Sequence, residues 1–236
     1  MFCAAFFLPL LMISCRSLPA APQQEVPAAY TVKTMAEKLS YVESDLSFPE
    51  FESVRVLNDA VQDTVLKRYN NFKGLARRNW AELDAYRREV LGEAERTPPF
   101  TYKVQHQVVR SERYICVLLT YYEDDGGAHG NTTLKSFVYD RVADKLVSAS
   151  DVSGQSYARL SAQCRQKLTA ALVDGDKSLT VEQRRSLVSM INAGTAADAE
   201  HLSCFTTDGK TLTMYFEPYA VAPYAYGIQT VQLPLS

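Results

Sequence analysis

The side chains best suited to chemistry stand in one stretch, Tyr121-Tyr122-Glu123-Asp124-Asp125-Gly126-Gly127-Ala128-His129-Gly130. Paired carboxylates such as Asp124 and Asp125 can serve glycoside hydrolysis or bind a cation. The His129 imidazole can ligate or exchange a proton near neutral pH. Backbone N–H groups of Gly126, Gly127 and Gly130 can approach an anion closely. Each group also has a plainer use. Acids before glycines mark a solvated turn, and glycines supply positive φ at a tight sheet corner that His129 can bridge. The rest of the chain favours that use. No Lys-Ser/Thr opens a helix after the glycines, so this is no phosphate loop. His106, His129 and His201 are the only histidines, and neither His-x-x-x-His nor Cys-x-x-Cys occurs, so no metal site is expected. There is no Gly-x-Ser-x-Gly elbow. We assign no catalytic residue and no cofactor.

A second stretch, Glu217-Pro218-Tyr219-Ala220-Val221-Ala222-Pro223-Tyr224-Ala225-Tyr226-Gly227, suits recognition rather than reaction. Tyrosines in a proline-stiffened loop offer large amphipathic area at low entropic cost. The candidate binding residues are Tyr122, His129, Glu217, Tyr219, Tyr224 and Tyr226. Gly126, Gly127, Gly130, Pro218, Pro223 and Gly227 are expected to shape the backbone around them.

These loops need elements to hold them. Strand-like residues run from Tyr30 to Leu46, and Pro49 is expected to end them. Val54, Leu57, Val61, Val65, Tyr69 and Phe72 recur at helical spacing, with a break expected at Gly74. A second helical run places Trp80, Leu83, Tyr86 and Val90 on one face and stops at Gly92. Its Arg77, Arg78, Arg87 and Arg88 are interspersed with acids, as on a solvated face. Beyond Pro98-Pro99 the period becomes two. Phe100 to His106 forms one strand, the apolar run Arg113 to Tyr122 a central one, and Thr132 to Tyr139 a third. Tyr157, Leu160, Cys164, Leu168 and Leu172 return to helical spacing. Thr180 and Gln183 form a capping box for a helix through Ile191. Asp208-Gly209 marks a hairpin between Leu202–Thr207 and Thr211–Phe216, and Ile228–Leu233 is a last strand. The expected class is α+β: a mainly antiparallel sheet with helices packed on one face, in two related or intimately packed halves.

The 236 residues, 47% hydrophobic, suffice for one or two cored domains. A net charge of −2 with no basic stripe excludes nucleic acid as a favoured partner. Phe2 to Ile13 is apolar but too short to cross a bilayer, which fits a signal peptide over residues 1–14. Its end, Leu11-Met12-Ile13-Ser14-Cys15, resembles a bacterial lipobox and makes Cys15 the lipidation site. Residues 15–29, rich in proline and alanine, then form a tether. Cys116, Cys164 and Cys204 remain beyond it. One disulfide plus a free thiol and three buried thiols are both open, with Cys164–Cys204 the pair to test.

The two loop stretches together carry a resemblance. Tyr-Tyr-x-x-x-Gly-Gly-Ala-His-Gly at Tyr121–Gly130, Phe137-Val138-Tyr139-Asp140, and Tyr215-Phe216-Glu217-Pro218-Tyr219-x-x-Ala222-Pro223-Tyr224-Ala225-x-Gly227 before Leu233-Pro234 resemble an exported domain pair of unknown function. That pair occurs in the anti-sigma factor RsiV and beside the catalytic domain of the peptidoglycan deacetylase PdaC. The resemblance covers about Tyr30 to Ser236, in outline over the first half and residue by residue over the second. It implies an N-terminal α+β domain over 30–125 and a C-terminal one over 126–236. In RsiV the pair is the part that binds lysozyme. The expected protein is therefore a lipid-anchored cell-envelope binding module, without catalysis of its own, for a lysozyme-like protein or cell-wall glycan. The alternatives are a small cell-wall saccharide hydrolase using acids near the glycines with Glu217, or a purely structural envelope lipoprotein. The hydrolase requires Asp124 or Asp125, His129 and Glu217 in one concave site.

Overall fold

The stripe that begins at Val54 builds one long helix, α1 (Arg55–Leu91). Val54, Leu57, Val61, Val65, Tyr69, Phe72 and Ala76 are all buried along it. The computed structural model describes residues 29–92 and 97–235. The signal segment 1–14, Cys15 and all but Ala29 of the tether lie outside the described residues.

One sequence expectation fails in this region. Gly74 does not break α1. One exposed glycine costs a helix about 1 kcal/mol, less than the burial on either side of it stabilises. The second helical run leaves much of its apolar face uncovered: Tyr86 is 62% and Val90 58% exposed. The sheet ends before them. The helix there is tied down by Trp80 Nε1–H on the Pro98 carbonyl at 2.9 Å and by Asp84. Asp84 accepts from Arg88 at 2.8 Å and from the Thr97 N–H at 3.4 Å. Burial alone would raise the pKa of Asp84, but the hydrogen bonds from Thr97 and Arg88 outweigh it and hold the carboxyl low. The expected stop at Gly92 is present.

Six strands form one sheet in the order β1 (Tyr30–Lys38), β2 (Val42–Phe51), β3 (Phe100–Arg110), β4 (Tyr114–Asp124), β5 (Asn131–Asp140), β6 (Lys145–Leu146). All neighbours are antiparallel except β2 and β3. Pro49 lies inside β2, against expectation. Its register partner is Val32 on β1. Glu52 N–H bonds the Ala29 carbonyl, so even-numbered residues of β2 bond to β1 and Pro49 faces the other way. On that side the pairing with β3 has already ended at Leu46↔Val104, so no N–H is needed there.

The α1 face of the sheet carries Val104, Ile115, Val117, Leu119, Tyr121, Phe137 and Tyr139. The opposite face of β4 and β5 presents Tyr114, Cys116 and Val138 to a second core. Packing on both faces explains why Tyr114–Leu119 is an unbroken buried run rather than an alternating one. The second core comprises α2 (Ala149–Ser153), α3 (Tyr157–Thr169) with a π turn at Ala170–Asp174, and α4 (Val181–Gly194). It also holds a three-stranded sheet of β7 (Phe205–Thr207), β8 (Thr211–Phe216) and β9 (Gln229–Pro234). The Thr180–Gln183 capping box opens α4, and Asp208-Gly209 turns β7 into β8. The fold is the expected mixed α+β class with a mostly antiparallel sheet. The point between residues 125 and 126 falls at the tip of the β4–β5 hairpin, whose strands pair from Tyr114↔Asp140 to Glu123↔Asn131.

Cys116, Cys164 and Cys204 are free thiols, so Cys164 and Cys204 are not paired. Burial pushes Cys116 and Cys204 up to about 12 and Cys164 up to about 11, which leaves all three as unreactive thiols.

Candidate functional site

The glycine loop is held from below by α1. Arg68 donates from Nε to Glu123 at 2.7 Å and from Nη2 to Thr133 Oγ1 at 2.5 Å, and its guanidinium lies 4.2 Å from the centre of the Tyr121 ring. It thereby ties both strands of the β4–β5 hairpin to the helix just below the loop. Arg68 falls on the buried stripe between Val65 and Phe72, and a lone cation in that register was the signal that could have revealed it. Within the loop, Asp124 accepts the Gly126 N–H at 3.0 Å, and Gly126 has φ 83°. Gly130 is required by close approach. A Cβ there would fall 2.3 Å from the ring of Tyr122.

The tyrosine-proline loop is anchored by its own apolar residues. Val221 and Ala222 are buried in the second core. Gly194, at the end of α4, lets the Ala220 carbonyl pass where a Cβ would lie only 2.0 Å from the oxygen. Glu217 begins the loop with its carboxylate on the Leu134 N–H at 2.6 Å. Pro218 continues it, and Pro223 opens a single 3-10 turn, Tyr224–Tyr226, that Gly227 ends.

These anchors bring the two loops together. The rings of His129 and Tyr224 stack with centroids 4.2 Å apart at 24°. Tyr219 lies 5.5 Å from Tyr224 and 6.3 Å from His129. Tyr224 Oη donates to the Gly130 carbonyl at 3.1 Å, and His129 Nδ1 contacts the same oxygen at 3.0 Å. A carbonyl only accepts, so Nδ1 carries a proton there. Nε2 faces the Tyr219 hydroxyl at 3.4 Å. Tyr122 completes the base of this group. Desolvation, then the charge of Asp124 and the nearby Tyr224, raise its pKa.

Tyr219 is exceptional in its backbone. It adopts φ 70°, a left-handed conformation costing a non-glycine residue about 1 kcal/mol or more, and its side chain is 54% exposed. The fold thus holds a large amphipathic ring in strain at the surface.

The six candidate residues divide accordingly. Tyr122, His129, Tyr219 and Tyr224 converge. Glu217 serves the backbone of β5 behind them. Tyr226 is half-exposed on the 3-10 turn and stacks on none of these rings. Gly127 sits exposed at the loop tip. Glu217 does not join the acids of the glycine loop. Asp125 and His129 line a cavity of about 220 Å³ with Glu123, Asn79 and Asn131, while Glu217 lines a different one with Glu200 and His201. The expected set of Asp124 or Asp125 with His129 and Glu217 in one concave site is therefore not formed. Among the described residues no three His, Cys, Asp or Glu side chains meet as metal ligands would.

Tyr215–Gly227 and its anchors on α4 and β7–β9 lie in the part of the chain that a family model matches. Residues 152–236 match the family model "Protein of unknown function (DUF3298)". Two crystal structures of DUF3298 family proteins share the fold of nearly the whole chain. One, from Bacteroides fragilis, is 16% identical with a TM-score of 0.57, covering 88% of this chain and 91% of its own. The other, from Pseudomonas aeruginosa, is 21% identical with a TM-score of 0.56, covering 89% and 91%. At these identities the likeness is one of fold. No curated protein matches the chain. The matched segment holds the tyrosine-proline loop but not the glycine loop, which comes from the sheet before it.

Proposed function

We propose that this protein is a lipid-anchored cell-envelope module that binds a protein ligand of lysozyme type through the His129–Tyr219–Tyr224 platform. The observation that carries the proposal is the strained, exposed Tyr219 beside the stacked His129 and Tyr224, where two loops 90 residues apart meet. Exposed aromatic rings fixed in place are characteristic anchors of protein interfaces, because little entropy is lost when they are covered. The lysozyme-type ligand rests on the sequence resemblance to the RsiV domain pair, and the anchor on the lipobox-like end at Cys15. A tether after Cys15 would let the platform reach a soluble partner from the membrane surface.

The test is retention of the purified protein on immobilised lysozyme and on insoluble peptidoglycan. Retention on lysozyme that Tyr219→Gly abolishes supports the proposal. Retention on peptidoglycan alone replaces the protein ligand with a glycan, and retention on neither removes both. Cys15→Ser should move the protein from the membrane fraction to the soluble one. If it stays with the membrane, the anchor assignment is wrong.

A further inference from the structure

Strand β5 has an open edge. The β4–β5 register continues to Arg141, whose N–H bonds the Arg113 carbonyl, so the odd-numbered residues of β5 exchange bonds with β4. The even-numbered residues turn their backbone groups outward. On that side β6 pairs only Tyr139 and Asp140. One more bond follows, from Val147 N–H to the Val138 carbonyl at 2.9 Å. Further along, the Leu134 N–H is taken by Glu217. Between these two points four groups face outward with no partner among the described residues: the Leu134 carbonyl, the N–H and carbonyl of Ser136, and the Val138 N–H. They belong to residues only 7%, 7% and 2% exposed. Backbone groups so sheltered are nearly always paired.

Two cavities adjoin this gap, and Ser203 lines both. The first, about 340 Å³, is lined by apolar residues such as Phe137, Val138, Val147, Leu202 and Phe205, with Lys135 and three serines among them. The second, about 530 Å³, is lined by Glu200 and Glu217 together with His201, and by no lysine or arginine. Glu200 is exposed there.

We propose that this gap is a strand-addition site: an extended peptide of a protein partner pairs with Leu134–Val138. It would place one apolar side chain in the first cavity and one basic side chain, two residues away, at the second. Side chains two residues apart in a strand share a face and stand about 7 Å apart. The unpaired donors and acceptors call for a strand, and the carboxylates call for a cation. Glu217 then limits the site, withdrawing the Leu134 N–H so that pairing stops there. This site is distinct from the aromatic platform and stands or falls without it.

Two acetylated, amidated peptides probe it, Thr-Leu-Thr-Lys-Thr and Thr-Lys-Thr-Leu-Thr, because strand direction decides the order of the two side chains. Each is titrated into the ¹⁵N-labelled full chain. One of them should bind, slowing hydrogen exchange at the Ser136 and Val138 amides at least about tenfold. Methylating every peptide nitrogen should weaken binding by about tenfold or more, since several hydrogen bonds are lost. Glu200→Lys should reverse the preference for lysine over glutamate in the peptide. The proposal is overturned if neither peptide binds at about 1 mM, or if the methylated peptide binds equally well. It is also overturned if exchange at Ser136 and Val138 is unchanged at saturation, or if the edge is instead consumed by concentration-dependent dimerisation.

Discussion

The two faces of the six-stranded sheet are finished in different ways. On the α1 face, polar side chains are drawn into the packing. Tyr69 Oη donates to Glu37, which also pairs with Lys73 at 2.5 Å, and Ser44 donates to Tyr69 at 3.0 Å. The hydrogen bonds from Lys73 and then Tyr69 hold the Glu37 carboxyl low. Arg68 clamps the hairpin in the same manner. The opposite face is packed mainly with apolar side chains and the thiols of Cys116 and Cys164, with the Arg113–Asp140 ion pair at its end and buried hydroxyls such as Ser136 and Ser161. It closes over the middle of the sheet but leaves the β5 edge unfinished. The clamped face fixes where the glycine loop stands, and the apolar face supplies the tyrosines that meet it. Neither unit alone would make the platform.

That contrast can be broken by mutation. The largest effects should come from the buried leucines of each face. Leu119→Ala and Leu212→Ala, both at sites with no exposure, should each destabilise the protein by about 3 kcal/mol. Urea unfolding should show this as a fall in midpoint. Because β4 is shared by both cores, each variant should still unfold in one transition followed by Trp80 fluorescence and by far-ultraviolet dichroism. Two separated transitions would show that the faces are independent.

Asp140 comes next. Its carboxylate accepts from Arg113 at 2.7 and 2.9 Å and caps the Val142 and Ala143 amides at 2.9 and 3.1 Å. Burial opposes its charge, but these bonds win and lower its pKa. A carboxyl held low in the folded state contributes stability above its unfolded pKa, and that contribution is lost as pH falls. Asp140→Asn should cost about 2 kcal/mol at pH 7. The gap to the parent protein should shrink as the pH falls below about 4, which a pH series of melts will show. A smaller effect is expected at Arg68. Arg68→Met keeps the stem packed and removes the clamp, so the cost should be about 1 kcal/mol after allowing for its partial exposure. Its clearest readout is faster amide exchange at Gly126 to Asn131. Unchanged exchange there would mean the loop is held by its own glycines.

Much of the fold was legible because local rules and burial agreed. The stripe from Val54 to Phe72, the capping box at Thr180 and the Asp208-Gly209 hairpin are all local signals that packing reinforces. Gly74 and Pro49 misled because each breaks a rule where the surroundings remove the penalty: α1 is buried on both sides of one, and β2 has lost a neighbour beside the other. The platform was only half legible. Tyr122, His129, Tyr219 and Tyr224 stand out by type, but their contact depends on Gly194 admitting Ala220, and no spacing encodes it. The open edge of β5 was invisible, since it follows from where β6 stops.

Tyr219→Gly separates a binding role for the ring from a structural one when stability and retention on immobilised lysozyme are measured on the same preparation. Glycine removes the left-handed strain and the ring together. If the ring is there to bind, stability should be unchanged or raised by up to about 1 kcal/mol, while retention falls at least about tenfold. A loss of stability above about 1 kcal/mol with retention unchanged would make Tyr219 a structural residue and not a binding one.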